Sequence, residues 1–172
     1  MKNSAPGSPA SSYRADGIAA ALESQYLDYQ YIFVEFLIGH MVDAASAFDG
    51  DYQEMLVMAV LGQARLGAVR AAASPELTDL NAAAEITNAS RIADVTGIPR
   101  QTVRRKLASL ENRGWIERDA NGAYRLVSAA GKSTARRDLE DLDRRALMRI
   151  ARLVADLQSV IEKHEQRIAK SR

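Results

Sequence analysis

The 172-residue sequence contains no cysteine and only two histidines. The absence of cysteine excludes disulfide frameworks, thiolate zinc sites and cysteine nucleophiles, and it is consistent with a reducing compartment. A multi-histidine metal site would need both histidines together with carboxylates, and no set of nucleophile, base and orienting residue stands out. We therefore expect no metal, no other cofactor and no enzymatic activity.

Long apolar runs are also missing from the sequence. The longest apolar stretch, residues 26–48, is interrupted by three acidic residues and a histidine. The sequence therefore predicts no segment with the roughly 20 apolar residues that cross a bilayer, and residues 1–12 lack the apolar centre of a secretory signal. With 47% apolar and 26% charged residues, the composition is that of a core-forming protein, and we expect it in the cytoplasm.

The net charge is only +1, but the charges are distributed unevenly along the chain. Residues 1–80 carry a net charge of −6, residues 81–137 carry +6 and residues 138–172 carry +1. There is no acidic residue over 95–110, whereas four bases fall within residues 100–106. A solvated helix face would carry interspersed glutamates. The asymmetry therefore indicates an anionic partner for the middle segment.

Apolar periodicity predicts long helices before and after this basic segment. Apolar residues recur at steps of three and four over residues 18–47 and again over 132–170, and a further helix is expected at 52–73. If it is continuous, the last segment is a helix about 58 Å long, and part of its apolar face needs another chain. Whether this segment is one helix or two stays open. A homodimer built by these helices is the expectation.

A short helix, a glycine turn and a basic helix follow one another in the middle of the chain. The first helix is predicted over 89–96, with Asn88 and Ser90 as candidate N-caps. Gly97 permits the left-handed backbone of a turn, and Pro99 is pre-set for the start of the helix predicted over 100–112. The residues expected to face inward and lock the two helices together are Ile92, Ile98, Val103 and Leu107.

A hairpin is predicted directly after the basic helix. Gly114 is suited to ending that helix. Two β-prone runs, residues 115–118 and 123–127, then flank Asn121-Gly122, which is a strong hairpin signal. The ordered set predicts a mainly α fold with a small β-hairpin wing, in which a winged helix-turn-helix domain is flanked by long dimerisation helices.

The stretch NASRIADVTGIPRQTVRRKLASLENRGWIERDANGAYRLVSAAGK resembles the winged-helix domains of bacterial transcription regulators. Its layout is most similar to the MarR type, in which helices before and after the domain build a dimer. RKLASLENRGWIER is similar to the end of that family's recognition helix and its first wing strand, and LVSAAGK to the exit from the wing. The resemblance covers about residues 86–133, and Ala120-Asn121-Gly122 replaces the family's Asp-x-Arg signature at the wing tip.

Four segments follow from the patterns and the resemblance. Residues 1–16 are expected to be a disordered tail, and residues 17–74 are N-terminal helices for dimerisation and packing. Residues 75–131 form the winged helix-turn-helix DNA-binding domain. Residues 132–172 form a C-terminal dimerisation helix or helix pair. The connector at 75–88 is expected to hold at most a short helical turn around residues 81–85.

The second helix of a helix-turn-helix enters the major groove, where arginine pairs with guanine and glutamine with adenine. Because Val103 and Leu107 point inward, Arg100 and Arg104 are expected to share an outward face. Gln101 and Arg105 are expected beside them. The candidate residues on this helix are Arg100, Gln101, Thr102, Arg104 and Arg105. The candidates for phosphate contacts are Ser90, Arg91 and Thr102, and those for phosphate or minor-groove contacts on the wing are Arg118, Asn121 and Arg125.

The sequence thus predicts a sequence-specific transcriptional regulator that binds a pseudo-palindromic site in double-stranded DNA as a homodimer. Three alternatives stay open. Arg104 or Arg105 can instead pair with Glu111 or Asp94, and the winged helix can be a protein–protein interaction module without DNA binding. The aromatic residues Tyr26, Tyr29 and Phe33 either pack against a partner helix or line a pocket for a small-molecule effector, as the resemblance implies.

Overall fold

The computed structural model describes residues 15–73, 88–129 and 132–170. The described chain is mainly helical and carries a small β-hairpin wing, as the sequence predicts. Its elements in order are α1 (Ala15–Ser24), α2 (Tyr26–Ala47), α3 (Tyr52–Ala73), α4 (Ala89–Thr96), α5 (Arg100–Asn112), β1 (Ile116–Arg118), β2 (Tyr124–Leu126), β3 (Ser128–Ala129), β4 (Lys132–Ser133), α6 (Thr134–Asp138) and α7 (Glu140–Lys170). The connector and the greater part of the predicted tail lie outside the described residues.

The first predicted helix is interrupted, so the prediction of one continuous helix over 18–47 is wrong. The N–H of Gln25 donates to the carbonyl of Leu22 at 3.1 Å, which tightens the chain by one residue and ends α1. The helix resumes as α2, where the N–H of Tyr29 donates to the carbonyl of Gln25 at 3.0 Å. The apolar periodicity of the sequence continues through this break, so the pattern did not reveal where α1 ends. The first helix begins at Ala15, within the segment predicted as a tail.

A tight turn joins α2 to α3. Asp49 and Gly50 both have positive φ, 52° and 80°, and Asp51 then caps α3 because its Oδ1 accepts a hydrogen bond of 2.9 Å from the N–H of Glu54. Serine, threonine, asparagine and aspartate are the side chains that satisfy the first N–H groups of a helix. The predicted helix at 52–73 is confirmed.

By length and composition alone, α3 is apolar enough to cross a membrane. The expectation that no segment has this composition is therefore corrected for this helix. Val57, Met58 and Leu61 of α3 are buried in one cluster with residues of α4 and α5. The apolar composition of α3 thus includes the side chains with which it builds this core.

The helix-turn-helix core is built by α3, α4, α5 and the start of the wing. Ile92, Val103 and Leu107 are fully buried and Ile98 is nearly so, as the sequence predicts. They form a cluster with Phe48, Trp115 and Ile116 as well as the apolar side of α3. Residues of α3 and Phe48, which precede residue 75, therefore belong to the same core as the two helices of the motif.

The two helices of the motif begin and end as their sequence signals predict. Asn88 Oδ1 caps α4 by accepting hydrogen bonds from the N–H groups of Ser90 (3.1 Å) and Arg91 (3.0 Å). Gly97 follows α4 with a left-handed φ of 69°, and Gly114 follows α5 with a φ of 68°. A residue with a Cβ adopts this conformation at a cost of roughly 1–2 kcal/mol.

The wing is an antiparallel hairpin in which Ile116 pairs with Leu126 and Arg118 with Tyr124. Its turn is closed by Asp119, whose Oδ1 accepts hydrogen bonds of 2.9 Å from the N–H groups of Asn121 and Ala123. The sequence did not predict the second, smaller hairpin of β3 and β4. This hairpin displaces the start of the last helical region from residue 132 to Thr134, where Ser133 is the N-cap.

The last helical region is a pair of unequal helices. The first, α6, ends at Asp138, and Leu139 after it leaves the helical conformation at φ −97° and ψ 12°. The second, α7, continues for 31 residues. The question of one helix or two is thereby answered in favour of two.

The chain divides into two compact units. Among the described residues, one unit comprises 15–39 and 147–170, and the other comprises 40–73, 88–129 and 132–146. The first unit is held partly by a hydrogen bond of 2.5 Å between Ser24 Oγ and His164 Nδ1. The second unit contains the helix-turn-helix and the wing.

Candidate DNA-binding interface

The outward face of α5 is a row of exposed polar side chains. Val103, Leu107 and Leu110 are fully buried on the inner side of this helix. Arg100, Gln101, Arg104 and Arg105 are exposed, and Thr102 is half-buried. A two-sided helix of this kind presents its polar side chains to a partner without disturbing the core that holds it in place.

The exposed guanidinium groups of α5 are not neutralised by the part of the chain that the structure describes. Across residues 15–73, 88–129 and 132–170, no carboxylate oxygen lies within 4.0 Å of Arg100, Arg104 or Arg105. The alternative pairing of Arg104 or Arg105 with Glu111 or Asp94 is therefore not found there. The positive charge of this face stays available to an anion.

Lys106, in the same basic run, has a different environment. Its ammonium group forms an ion pair with Asp51, the residue that caps α3, and its side chain is only 13% exposed. Burial raises the pKa of Asp51, but the hydrogen bond and charge of Lys106 and the N–H of Glu54 outweigh it, so that the pKa lies below its usual value. The pair fixes α5 to the start of α3.

Arg113 fixes the C-terminal end of α5 in a similar way. Its guanidinium lies 2.8 Å from Asp49 Oδ2 and 2.9 Å from Glu54 Oε1, and it stacks over the Trp115 ring at 5.0 Å from the centroid. The Glu54 oxygen is close enough for an ion pair but is not aligned for a hydrogen bond. Because Glu54 is buried, removal of Arg113 would leave its charge without this neighbour.

Trp115 anchors the start of the wing. Its ring is buried edge-to-face against Phe48, with the centroids 5.7 Å apart. Its Nε1–H donates a hydrogen bond of 2.9 Å to Asp138 Oδ2. This bond, together with one from Arg137, lowers the pKa of Asp138. The wing is therefore tied to α6 as well as to the core.

A polar groove of about 700 Å³ separates the N-terminus of α4 from α5 and the wing. Four arginines from three elements line it: Arg91, Arg100, Arg104 and Arg118. The remaining walls are formed by Asn88, Ala89, Ser90, Gly122 and Tyr124. We call this space the arginine groove. It brings predicted residues of α4, α5 and the wing to one place.

The predicted wing residues fall into different environments. Arg118 lies over the Tyr124 ring, 5.8 Å from its centroid, and its Nε is 3.4 Å from the carbonyl of Gly122. Arg125 instead forms an ion pair of 3.0 Å with Glu117. Asn121 is exposed at the tip of the hairpin. The structure therefore does not bring Arg125 and Asn121 into the arginine groove.

The three aromatic residues suggested for an effector pocket lie on α2. Tyr26 lines an open hollow of about 660 Å³, whose apolar wall includes Leu27, Tyr31, Val34 and Ile38 and whose rim carries Glu35 and Arg149. Tyr29 and Phe33 do not line this hollow; their rings stack on one another with centroids 6.1 Å apart. The hollow belongs to the first compact unit.

Sequence reasoning missed the residues that hold α5 in position. Asp51 and Glu54 have the Asp-x-x-Glu spacing of a capped helix start, and that signal was readable from the sequence. The pairing of Asp51 with Lys106 was not, because the two residues are 55 positions apart. Tyr124 as a support for Arg118 was also missed, although cross-strand pairing in the predicted hairpin places them opposite one another.

The family model of the IclR helix-turn-helix domain matches residues 66–120, about a third of the chain. The matched segment runs from the second half of α3 through α4 and α5 to the turn of the wing. Comparison with curated proteins and with solved structures gives no significant match. The chain thus carries a helix-turn-helix DNA-binding domain, which supports a role as a bacterial transcriptional regulator.

Proposed function

We propose that this chain is a cytoplasmic, non-enzymatic transcriptional regulator that binds a pseudo-palindromic operator as a homodimer. The observation that carries the proposal is the exposed outward face of α5, whose arginines have no carboxylate within 4.0 Å among the described residues. An α-helix fits the major groove, which is about 12 Å wide. The buried side of α5 and its ties to Asp51 and Glu54 support a fixed presentation of that face.

The homodimer is supported by apolar side chains that stay exposed on two long helices. On α2, Val42 is 60% exposed, and on α7, Leu147 and Met148 are 67% and 57% exposed. Several large apolar side chains exposed on one helix favour association with another surface. A second copy of the chain is the occupant that a two-fold operator requires, because a symmetric dimer presents two recognition helices about one DNA turn apart.

The arrangement of long helices before and after the helix-turn-helix supports a MarR-like layout as part of the proposal. In that layout the flanking helices dimerise and the central domain binds DNA. The IclR-type match covers only the helix-turn-helix region. The dimerisation role of α2 and α7 therefore rests on their exposed apolar side chains.

Selection of bound DNA from a random duplex pool tests the proposal directly. The expected result is an enriched pseudo-palindrome whose half-sites are centred about 10 base pairs apart or a multiple of that spacing. An unenriched pool, together with no binding to any duplex at low salt, would contradict it. Co-purification with an acidic protein in the absence of nucleic acid would then favour the interaction module.

A second role, response to a small molecule, is supported by the hollow on α2. Its wall is apolar, and Glu35 and Arg149 supply polar groups at its rim, which is the usual composition of a ligand pocket. A thermal-shift screen of small molecules tests this role. A ligand that raises the melting temperature of the wild type but not of Ile38→Glu, which places a charge in the wall, would support it. Hits that shift both proteins equally would count against it.

A further inference from the structure

The arginine groove concentrates positive charge beyond what the outward face of α5 presents. Arg91 comes from the first turn of α4, Arg100 and Arg104 from α5, and Arg118 from β1. Within the described residues, none of the four has a carboxylate within 4.0 Å. The N-terminus of α4 adds the positive end of a helix dipole. The groove is therefore suited to an anion.

The two faces of the wing separate its arginines. Successive residues of a strand point to opposite faces, and the register places Arg118 opposite Tyr124 and Glu117 opposite Arg125. Arg118 and Tyr124 line the groove on the inner face. Arg125 lies on the other face with Glu117, which neutralises it. One wing arginine therefore belongs to the groove and the other does not.

Arg118 is held against its own hairpin instead of extending from the wing tip. Its guanidinium stacks on Tyr124, and a Cβ built at Gly122 would come within 3.0 Å of its Nη2. Because Gly122 has no side chain, there is room beside it for the Arg118 guanidinium. An arginine fixed in this way loses little conformational entropy when it binds an anion.

The helical period separates the polar side chains of α5 into two sets. With 3.6 residues per turn, Gln101 and Arg105 project roughly opposite to Val103, Leu107 and Leu110. Arg100 and Arg104 lie on the flank that faces the groove. The other flank carries Lys106, which is tied to Asp51. Of these polar residues, only Gln101 and Arg105 therefore lie on the side of α5 that is directly opposite its buried side.

We propose that the arginine groove is a clamp for the phosphodiester backbone of DNA and that Gln101 and Arg105 read the base edges. The inference rests on the proposed function and divides its residues by task. Arg91, Arg100, Arg104 and Arg118 bind phosphate oxygens and fix the register of α5 on the duplex, which carries no sequence information by itself. Gln101 and Arg105 reach the floor of the major groove and discriminate between base pairs.

The test compares Arg118→Ala with Arg125→Ala, two substitutions of wing arginines on opposite faces of the same hairpin. Affinity is measured for the selected operator and for a random duplex over a series of salt concentrations. Arg118→Ala is expected to weaken binding to both duplexes by the same factor, about tenfold, and to reduce the salt slope by about one phosphate contact. Arg125→Ala is expected to change either affinity by less than about twofold.

The proposed base contacts of Gln101 and Arg105 are tested in the same assay with Arg105→Ala and Gln101→Ala. Each is expected to lower the ratio of operator to random-duplex affinity by about tenfold and to relax the preference at one position of the selected site. Circular dichroism confirms that each variant keeps its helical content. Arg91→Ala serves as a second clamp variant on another element, and we expect it to behave like Arg118→Ala.

The outcomes separate this inference from the proposed function. If the wild type does not bind duplex DNA, both are overturned. If the wild type binds but Arg118→Ala alters the base preference, or if Arg125→Ala weakens binding as much as Arg118→Ala does, only the clamp is overturned. The clamp is supported if Arg118→Ala lowers the affinity for the operator and for the random duplex by the same factor and leaves the base preference unchanged.

Discussion

Neighbouring basic side chains of α5 have different partners, although the sequence shows them as one run. Arg104 and Arg105 are exposed and lie away from carboxylates among the described residues, whereas Lys106 is paired with Asp51. Lys106 is therefore a positioning residue, because its charge is neutralised within the chain. Mutations in this run are expected to fall into two classes, those that change DNA affinity and those that change stability.

Asp51 contributes to the stability of the fold in two ways, because it caps α3 and pairs with Lys106. Its pKa is lowered in the folded chain, so its contribution to stability is present above its unfolded pKa and is lost as the pH falls through its folded pKa. Asp51→Asn keeps a good capping residue and removes the charge. We expect this variant to be less stable than the wild type at neutral pH by up to about 1 kcal/mol, with the difference shrinking below about pH 4.

Asp51→Ala removes the cap as well and is expected to cost about 1 kcal/mol more than Asp51→Asn. Urea unfolding followed by the fluorescence of Trp115, the single tryptophan of the chain, measures all three proteins at each pH. A stability difference between wild type and Asp51→Asn that stays constant down to pH 3 would contradict the assigned ion pair.

The candidate site was predictable where one helix carries it and unpredictable where two elements meet. Arg100, Gln101, Arg104 and Arg105 are exposed on α5 because Val103 and Leu107 are buried, and the periodicity of one helix contains that information. The contact of the Arg118 guanidinium with the Tyr124 ring depends on hairpin register and side-chain conformation, and so does the pairing of Arg125 with Glu117. Composition and spacing do not encode these details.

The bounds of α4 and α5 agree with their sequence signals because several local preferences coincide there. Asn88 caps one helix, Gly97 ends it, and Pro99 precedes the next. The break at Gln25 and the hairpin of β3 and β4 have no comparable signal. They were missed because each is defined by a few backbone hydrogen bonds in sequence that otherwise continues its pattern.

The glycine turn offers a matched pair of substitutions. Gly97 has a φ of 69°, whereas Gly62 lies inside α3, and a Cβ at either position would meet no atom within 4 Å. Gly97→Ala is therefore expected to destabilise the fold by roughly 1–2 kcal/mol through its backbone alone. Gly62→Ala is expected to stabilise it by roughly 0.5–1 kcal/mol. Urea midpoints of the two variants check the prediction, and shifts in the same direction would refute it.

At the level of the entire molecule, the chain combines a basic segment at residues 81–137, which contains the helix-turn-helix, with helices that leave apolar side chains exposed. The apolar side chains of α7 that are exposed include Leu147, Met148, Ile150 and Val154. In water, a surface of this kind favours association. Dimerisation and DNA binding are therefore expected to depend on different residues.

Leu147→Glu tests the dimer. The substitution places a charge on the exposed apolar face of α7, so we expect a monomer in light scattering coupled to gel filtration, with unchanged helical content by circular dichroism. Arg152→Glu is the control, since it adds an acidic residue at an exposed polar position of the same helix. A wild type that is monomeric at micromolar concentration, or a Leu147→Glu variant that stays dimeric, would contradict the proposed interface.

The salt dependence of DNA affinity is the most direct measurement of the central claim, that the exposed arginines of α5 and its neighbours bind a polyanion. The affinity of the wild type for a labelled duplex is measured by fluorescence anisotropy between about 50 and 200 mM salt. We predict that it falls steeply, with a slope of about −0.9 for each phosphate contact, and that Arg104→Ala makes the slope shallower by about one contact. An affinity that is absent or independent of salt would contradict the account.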